Sequence, residues 1–101
     1  MKIIFFETQS WEKRMLKEGL KKHSLSFIPD PLNKNNFKLA RNAQAIGVFV
    51  VSKIDREVLS HLPKLKLLVT RSTGFDHIDI DECKKRKITV CNVPSYGENT
   101  V

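Results

Sequence analysis

One segment of the chain combines small residues with charge in a pattern that suits anion binding. The segment "RSTGFDHIDI" (71–80) follows an apolar run and contains Gly74, whose missing side chain lets a ligand approach the backbone. The N–H groups of Thr73 and Gly74 could then face a small anion. Arg71 and Lys53 could supply positive charge, so a small carboxylate is the ligand that this pattern favours.

A second anion-binding position is predicted in "VVSKID" (50–55). Ser52 and Lys53 directly precede a predicted helix that begins at Asp55. The first N–H groups of a helix have no partner within it and stabilise a nearby anion. A third position is Tyr96 in "NVPSYGEN", whose hydroxyl can donate or accept a hydrogen bond. These residues would complete a carboxylate site if their loops meet.

A purely structural interpretation of the same residues stays open. Gly74 could be an ordinary turn residue, Tyr96 could pack, and Arg71 could pair with Asp76. His77 has acidic neighbours in the sequence, which favours a capping or packing role over that of a general base.

Several familiar catalytic and binding patterns are missing. The sequence contains neither GxGxxG after a strand nor GxxxxGK[ST], and no serine, histidine and acid form a recognisable triad. Only Glu7 follows the first predicted strand, so the acidic cluster of a phosphoacceptor protein is missing. Cys83 and Cys91 lack metal-ligand spacing, so we expect no metal site and no disulfide.

The elements that must position these loops alternate along the chain. Runs of β-branched and aromatic residues predict strands, and amphipathic segments between them predict helices. The predicted strands are 2–8, 24–29, 45–51, 65–70 and 88–93, and the predicted helices are 10–22, 34–42, 55–62 and 79–87. This alternation indicates an α/β fold, a flavodoxin-like, doubly wound parallel sheet of order 2-1-3-4-5. Ligands of such sheets bind at the carboxyl ends of the strands.

Local signals refine the helices. Ser10 and Asp55 are predicted N-caps, and Asp79 with Glu82 forms a predicted capping box. Asn42 is a candidate for a left-handed helix end. Trp11 is expected to pack against the core or its edge, on one helical face with Met15, Leu16 and Leu20.

Composition limits the class of protein. With 101 residues, 41% of them hydrophobic, the chain suits one small domain. We find no apolar stretch long enough to span a membrane and no signal peptide, so we expect a cytoplasmic protein. The net charge of +7 raises a nucleic-acid module as an alternative, but the basic residues are spread over several predicted helices without interleaved aromatic residues. We expect neither nucleic acid nor membrane as a partner.

The C-terminal third of the chain resembles a known family. The segments "RSTGFDHID", "CKKRK" and "VCNVPSYGENTV", within 65–101, resemble the D-isomer-specific 2-hydroxyacid dehydrogenases, in particular the D-lactate dehydrogenase-like branch. Residues 1–64 agree only in pattern. The resemblance implies that 1–101 is the N-terminal part of the substrate (catalytic) domain of an oxidoreductase. The NAD-binding Rossmann domain and the family's C-terminal helix would be absent from this chain.

The resemblance also implies roles for single residues. The N–H groups of Thr73 and Gly74 would bind the carboxylate of a small 2-hydroxy or 2-keto acid, and Tyr96 would contact the same substrate. Ser52 and Lys53 would line the pocket. The family's catalytic arginine, acid and histidine, like its NAD site, fall outside this chain, and His77 is not that histidine. The fragment alone should be inactive, and the parent enzyme should be a homodimer.

One residue departs from the family pattern. Lys87 stands where the family usually has a glycine that ends the helix before the fifth strand, and a left-handed non-glycine residue costs roughly 1 kcal/mol. A small flavin-binding module is a further alternative, because "STGFD" superficially resembles a flavodoxin phosphate loop. That loop, however, follows the first strand rather than the fourth.

Overall fold

Five strands form one parallel sheet in the computed structural model, which describes residues 1–20, 22–72 and 74–92. The strands are β1 (Lys2–Phe6), β2 (Ser24–Ile28), β3 (Ala45–Val48), β4 (Leu67–Thr70) and β5 (Thr89–Asn92). Their order is β2-β1-β3-β4-β5, and every neighbouring pair is parallel. The predicted flavodoxin-like α/β fold and its strand order are therefore confirmed.

Helices cross over between the strands on both faces of the sheet. They are α1 (Ser10–Gly19), α2 (Arg56–Ser60) and α3 (Ile80–Lys85), with a short 3₁₀ helix at Phe37–Ala40. The predicted helix 34–42 is thus reduced to that single 3₁₀ turn. The N-cap of α1 is Gln9 and not Ser10, and the N–H of Gln9 donates to Glu12 Oε1 at 3.1 Å. Asn42 lacks the predicted left-handed conformation, since the non-glycine residues with positive φ in the described ranges are Glu7 and Lys87.

The core has two parts of unequal size. The larger part lies on the face of the sheet that α2 and α3 cover, and it includes the fully buried Phe6, Leu32 and Leu68. On the other face, Leu16 and Leu20 pack against a smaller cluster around β1. Trp11 and Met15 do not share this contact, because they are 64% and 58% exposed. The prediction that Trp11 packs in or beside the core is therefore wrong for the described chain.

β3 ends earlier than its apolar sequence predicts. The predicted strand 45–51 stops at Val48, and the next three residues, Phe49, Val50 and Val51, are 37%, 51% and 67% exposed. The N–H groups of Phe49 and Val51 donate to the side chain of Glu7 instead of to a neighbouring strand. A polar contact from another loop therefore ends the strand, and no hydrophobic pattern could have shown it.

Both predicted aspartate caps are present. Asp55 Oδ1 accepts from the N–H of Val58 at 3.0 Å, and Asp79 Oδ1 accepts from the N–H of Glu82 at 3.0 Å. The capping box at Asp79 is only half formed, because the Glu82 carboxylate pairs with Arg56 at 3.3 Å and Arg86 at 2.8 Å. No helix in the described ranges is long and apolar enough to cross a lipid bilayer.

Candidate functional site

The loops that follow β1, β3 and β4 meet at the carboxyl edge of the sheet. The loop after β3 is tied to the loop after β4, because the N–H of Ile54 donates to the carbonyl of His77 at 2.8 Å and the N–H of Asp79 donates back to Ile54 at 2.9 Å. These two bonds form an isolated parallel bridge between Ile54 and Ile78. The same edge therefore carries two of the loops that the sequence selected for ligand binding, those after β3 and β4.

Glu7 is the organising residue of this edge. It follows β1 directly, and its backbone has φ of 57°, in the left-handed region that favours glycine. Its carboxylate accepts hydrogen bonds from the N–H groups of Phe49, Val51 and Ser52 at 2.8, 3.0 and 3.0 Å. These three N–H groups form an anion site in the loop after β3, and a carboxylate of the protein itself fills it.

Ser52 connects this carboxylate to a third segment. Its hydroxyl donates to Glu7 Oε2 at 2.6 Å and accepts from the N–H of Leu32 at 2.8 Å, and the residue is fully buried. Lys53 is exposed and lines a separate groove of ≈ 240 Å³ beside Asn33 and Asp55. The structure thus gives Ser52 internal partners and places Lys53 beside a groove. Substrate contact by either residue stays a prediction.

Arg71 lies on the α1 side of the sheet edge. Its guanidinium donates to the carbonyls of Phe6 and Glu7 at 2.8 and 2.9 Å and pairs with Glu12 at 2.9 Å. The expected alternative pairing of Arg71 with Asp76 is therefore replaced by a pairing with Glu12. The carbonyls of the left-handed turn at Glu7 are held by this guanidinium, so Arg71 and Glu12 support the same loop.

A cleft opens beside the ion pair of Arg71 and Glu12. It has a volume of ≈ 320 Å³ and an apolar wall of aromatic rings beside the ion pair. Its lining residues come from the loops after β1, β3 and β4 and from the start of α1, namely Glu7, Gln9, Trp11, Glu12, Phe49 and Arg71. The cleft lies at the edge where doubly wound sheets bind ligands.

The loop after β4 is held by hydroxyl groups. Thr70 Oγ1 lies 2.6 Å from Ser72 Oγ and 2.8 Å from His77 Nε2, and both Thr70 and Ser72 are buried. Ser72 Oγ donates to the carbonyl of Gly74 at 3.0 Å. Burial lowers the pKa of His77 from its ordinary 6.5, although the carboxylates of Glu7 and Asp76 act in the opposite direction. The His77 ring lies against Thr70 within the loop, which is consistent with the packing role predicted for it.

Gly74 leaves open space above this loop. The residue is exposed, and no heavy atom of the described ranges lies within 4 Å of the position that a Cβ would take. Its φ is not positive, so the glycine is not required there by backbone conformation. An unstrained glycine beneath open space at a ligand-binding edge is consistent with close approach of a ligand.

The predicted site residues are only partly within the described ranges. Gly74, Ser52 and Lys53 are described, whereas Thr73 and Tyr96 lie outside those ranges. Sequence reasoning missed the contributions of Glu7, Glu12, Thr70 and Ser72. The available signal was a lone acidic residue directly after the first strand. By itself, this single residue indicates only that an acidic cluster is missing.

The flavin alternative requires a phosphate loop after β1. That position holds Glu7, with Glu12 at the start of α1, and both are acidic residues. Two carboxylates would repel the phosphate of a flavin nucleotide. The site therefore favours a ligand at the loop after β4 over a flavin at the loop after β1.

Comparison with known proteins identifies the family of this chain. Residues 3–101 match the family model described as "D-isomer specific 2-hydroxyacid dehydrogenase, catalytic domain". A curated relative, 2-hydroxyacid dehydrogenase homolog 1 of Schizosaccharomyces pombe, is 34% identical over 105 residues, covering 100% of this chain and 32% of the relative. The resemblance deduced from the sequence is thereby confirmed.

Solved structures agree with this assignment. The D-lactate dehydrogenase of Aquifex aeolicus, complexed with NAD and lactic acid, is 39% identical with a TM-score of 0.86, covering 93% of this chain and 28% of that one. The apo D-lactate dehydrogenase of Escherichia coli is 28% identical with a TM-score of 0.86, covering 95% and 32%. The chain thus spans about a third of the length of these proteins. By name these relatives are dehydrogenases, and none supports the flavin or nucleic-acid alternative.

Proposed function

Because the chain belongs to the D-isomer-specific 2-hydroxyacid dehydrogenase family, we propose that it is the substrate-binding domain of an NAD-dependent dehydrogenase. The substrate class is a small 2-hydroxy acid and its keto acid, such as D-lactate and pyruvate. The similarity to two D-lactate dehydrogenases supports this choice. The activity belongs to the complete protein, since this chain spans only about a third of its relatives. The isolated chain is expected to be inactive.

The observation that carries the proposal is the open space above Gly74. In our interpretation, the N–H groups of Thr73 and Gly74 bind the substrate carboxylate, and Tyr96 contacts the same molecule. A bound carboxylate needs N–H donors that no internal acceptor occupies. The loop after β3 is less suitable because three of its N–H groups already donate to Glu7 and two others donate to backbone carbonyls. The loop after β4 is therefore the better carboxylate site, and Ser52 and Lys53 would line the same pocket.

The described residues do not fit NAD itself. A dinucleotide fold places a glycine-rich turn after its first strand, so that pyrophosphate can reach the N-terminus of the following helix. Here the corresponding turn holds Glu7, and Glu12 lies in the first turn of α1. These carboxylates disfavour a pyrophosphate. We therefore assign NAD, which supplies the hydride acceptor or donor, to another part of the complete protein, together with the catalytic residues.

The cellular setting follows from the thiols and from the family. Cys83 and Cys91 are both free, and Cys91 is exposed. Free exposed thiols are typical of reducing compartments, which supports a cytoplasmic enzyme. A homodimeric parent rests on the family resemblance alone.

A matched pair of glycine substitutions tests the proposed site. At Gly74 and at Gly19, an added Cβ would meet no described heavy atom within 4 Å. In the complete protein, Gly74→Ala should raise KM for pyruvate by about tenfold or more, because the methyl group takes the space of the substrate carboxylate. Gly19→Ala should leave KM unchanged and, because Gly19 is the last residue of α1, should keep or raise the unfolding midpoint, and Gly74→Ala should keep it. Equal KM values for the two variants, or no reduction of pyruvate or other 2-keto acids with NADH, would contradict the proposal.

A further inference from the structure

A chain of side-chain contacts lies below the loop after β4, and it has more contacts than the two hydroxyl groups have hydrogens. Three contacts join His77 Nε2 to Thr70 Oγ1, Thr70 Oγ1 to Ser72 Oγ, and Ser72 Oγ to the carbonyl of Gly74. The two hydroxyl groups supply one hydrogen each. A third hydrogen is required if all three contacts are hydrogen bonds.

The carbonyl at one end of the chain sets the direction of every bond. The Gly74 oxygen can only accept, so Ser72 must donate its hydrogen there. Ser72 Oγ then accepts from Thr70 across the 2.6 Å contact. Thr70 has no further hydrogen, so its oxygen must accept from His77 Nε2 at 2.8 Å. The opposite direction would leave the Gly74 carbonyl without the Ser72 bond.

We propose that His77 carries a proton on Nε2 and acts as a positioning residue, which fixes the substrate loop at Gly74 through Thr70 and Ser72. One part of this inference rests on the proposed function, namely that the loop at Gly74 binds the substrate. The direction of the hydrogen bonds follows from geometry and from the number of hydrogens.

Two members of the hydroxyl chain, Thr70 and His77, are anchored to the rest of the fold. Thr70 is the last residue of β4 and is fully buried, so its hydroxyl moves only with the sheet. The carbonyl of His77 accepts from the N–H of Ile54 at 2.8 Å, which holds the histidine backbone against the loop after β3. The bond from Ser72 to the Gly74 carbonyl restricts the rotation of the peptide that joins Gly74 to Phe75, and it therefore limits the ψ angle of Gly74. A loop with fewer backbone conformations at Gly74 presents the N–H of that residue to a carboxylate at less entropic cost.

The titratable groups around His77 are compatible with this role. Glu7 and Asp76 act on the imidazole electrostatically, and burial favours its uncharged form. An uncharged imidazole has one ring hydrogen. The hydroxyl chain selects the nitrogen that holds it, and Nδ1 then bears a lone pair.

Nuclear magnetic resonance of the complete protein tests the proton position directly. With only histidine labelled by ¹⁵N, the Nε2 and Nδ1 signals of His77 distinguish the two tautomers above pH 7, and His77→Gln identifies the signals. We expect the hydrogen on Nε2. Finding the hydrogen on Nδ1 would overturn the proposal without bearing on the proposed function.

Kinetics of the complete enzyme with pyruvate test the positioning role. Thr70→Val removes the central hydroxyl and should raise KM about three- to tenfold, the equivalent of one buried hydrogen bond, with kcat nearly unchanged. Thr70→Ser keeps a hydroxyl and should restore KM to within about twofold. His23→Gln, a change at an exposed histidine, is the control that leaves both constants unchanged.

The outcomes of these measurements separate two failures. If the unaltered enzyme reduces pyruvate but Thr70→Val and Thr70→Ser have the same KM, the positioning role is wrong. If the unaltered enzyme reduces no 2-keto acid, the proposed function is wrong, and the tautomer of His77 still decides the direction of the hydrogen bonds. Matching unfolding midpoints of the two Thr70 variants would show that KM is not altered by misfolding.

Discussion

The hydroxyl of Ser52 donates a hydrogen bond of 2.6 Å to the carboxylate of Glu7, a residue 45 positions earlier in the chain. The pair joins the end of β1 to the loop after β3, and the N–H of Leu32 adds the segment after β2 at 2.8 Å. The carboxyl edge of the sheet is therefore built around an internal anion. In the proposed function, the substrate carboxylate therefore binds at the loop after β4 and not at the loop after β3.

Replacing Glu7 by glutamine should destabilise the protein although the shape of the side chain is kept. The amide has one acceptor oxygen, and its NH₂ group would face N–H donors from the loop after β3. We expect the free energy of unfolding to fall by about 1–3 kcal/mol, measured by urea denaturation. Glu18→Gln, at an exposed position of α1, should change it by less than about 0.5 kcal/mol. Equal effects of the two changes would show that the Glu7 contacts contribute nothing.

Lys87→Gly should stabilise the protein. Lys87 has φ of 59°, so the non-glycine residue predicted to be strained after α3 does adopt the left-handed conformation. Glycine removes the steric cost, which is about 1 kcal/mol, and the midpoint of urea denaturation should increase. Lys84→Gly, within α3, should instead lower the free energy of unfolding by about 1 kcal/mol. A loss of stability in Lys87→Gly would mean that the lysine side chain outweighs the strain.

Stability should decrease as the solution is acidified through the titration of His77. Its pKa is lowered from 6.5 in the folded state, mainly by burial, so the unfolded chain binds this proton more readily. The contribution of His77 is therefore complete above about pH 6.5 and is lost as pH falls towards the folded-state pKa. Urea midpoints between pH 5 and 7.5 measure the effect. His77→Gln should flatten that part of the profile, and an unchanged slope would exclude His77 as its source.

The two cysteines should differ sharply in reactivity. Burial raises the pKa of the Cys83 thiol to about 11, and its side chain is fully enclosed, whereas Cys91 is exposed on β5. At pH 8 the thiol reagent DTNB should modify one thiol per folded chain and two in urea. Cys91→Ser should abolish the reaction of the folded protein. Modification of two thiols in the native state would show that α3 opens readily.

The sequence alone determined the strand order and pointed to the carboxyl edge of the sheet, where sheets of this kind bind ligands. Alternating strand and helix patterns predict a parallel sheet, and "LKLLVTRSTGFDHID" identifies the loop after β4 by local residue types. Caps such as Asp55 and Asp79 were also visible, because a cap bonds to N–H groups only a few positions away. Each of these features depends on residues that are near one another in the chain.

Only the tertiary structure decided which groups occupy the edge. Glu7 reaches Ser52, Arg71 reaches Glu12, and Thr70 lies against His77, and none of these pairs has a distinctive sequence pattern. The early end of β3 has the same origin, since a distant carboxylate takes the N–H groups of Phe49 and Val51. Hydrophobic periodicity reports which face of an element is buried. Hydrogen bonds between distant loops depend instead on how the sheet brings the ends of its strands together.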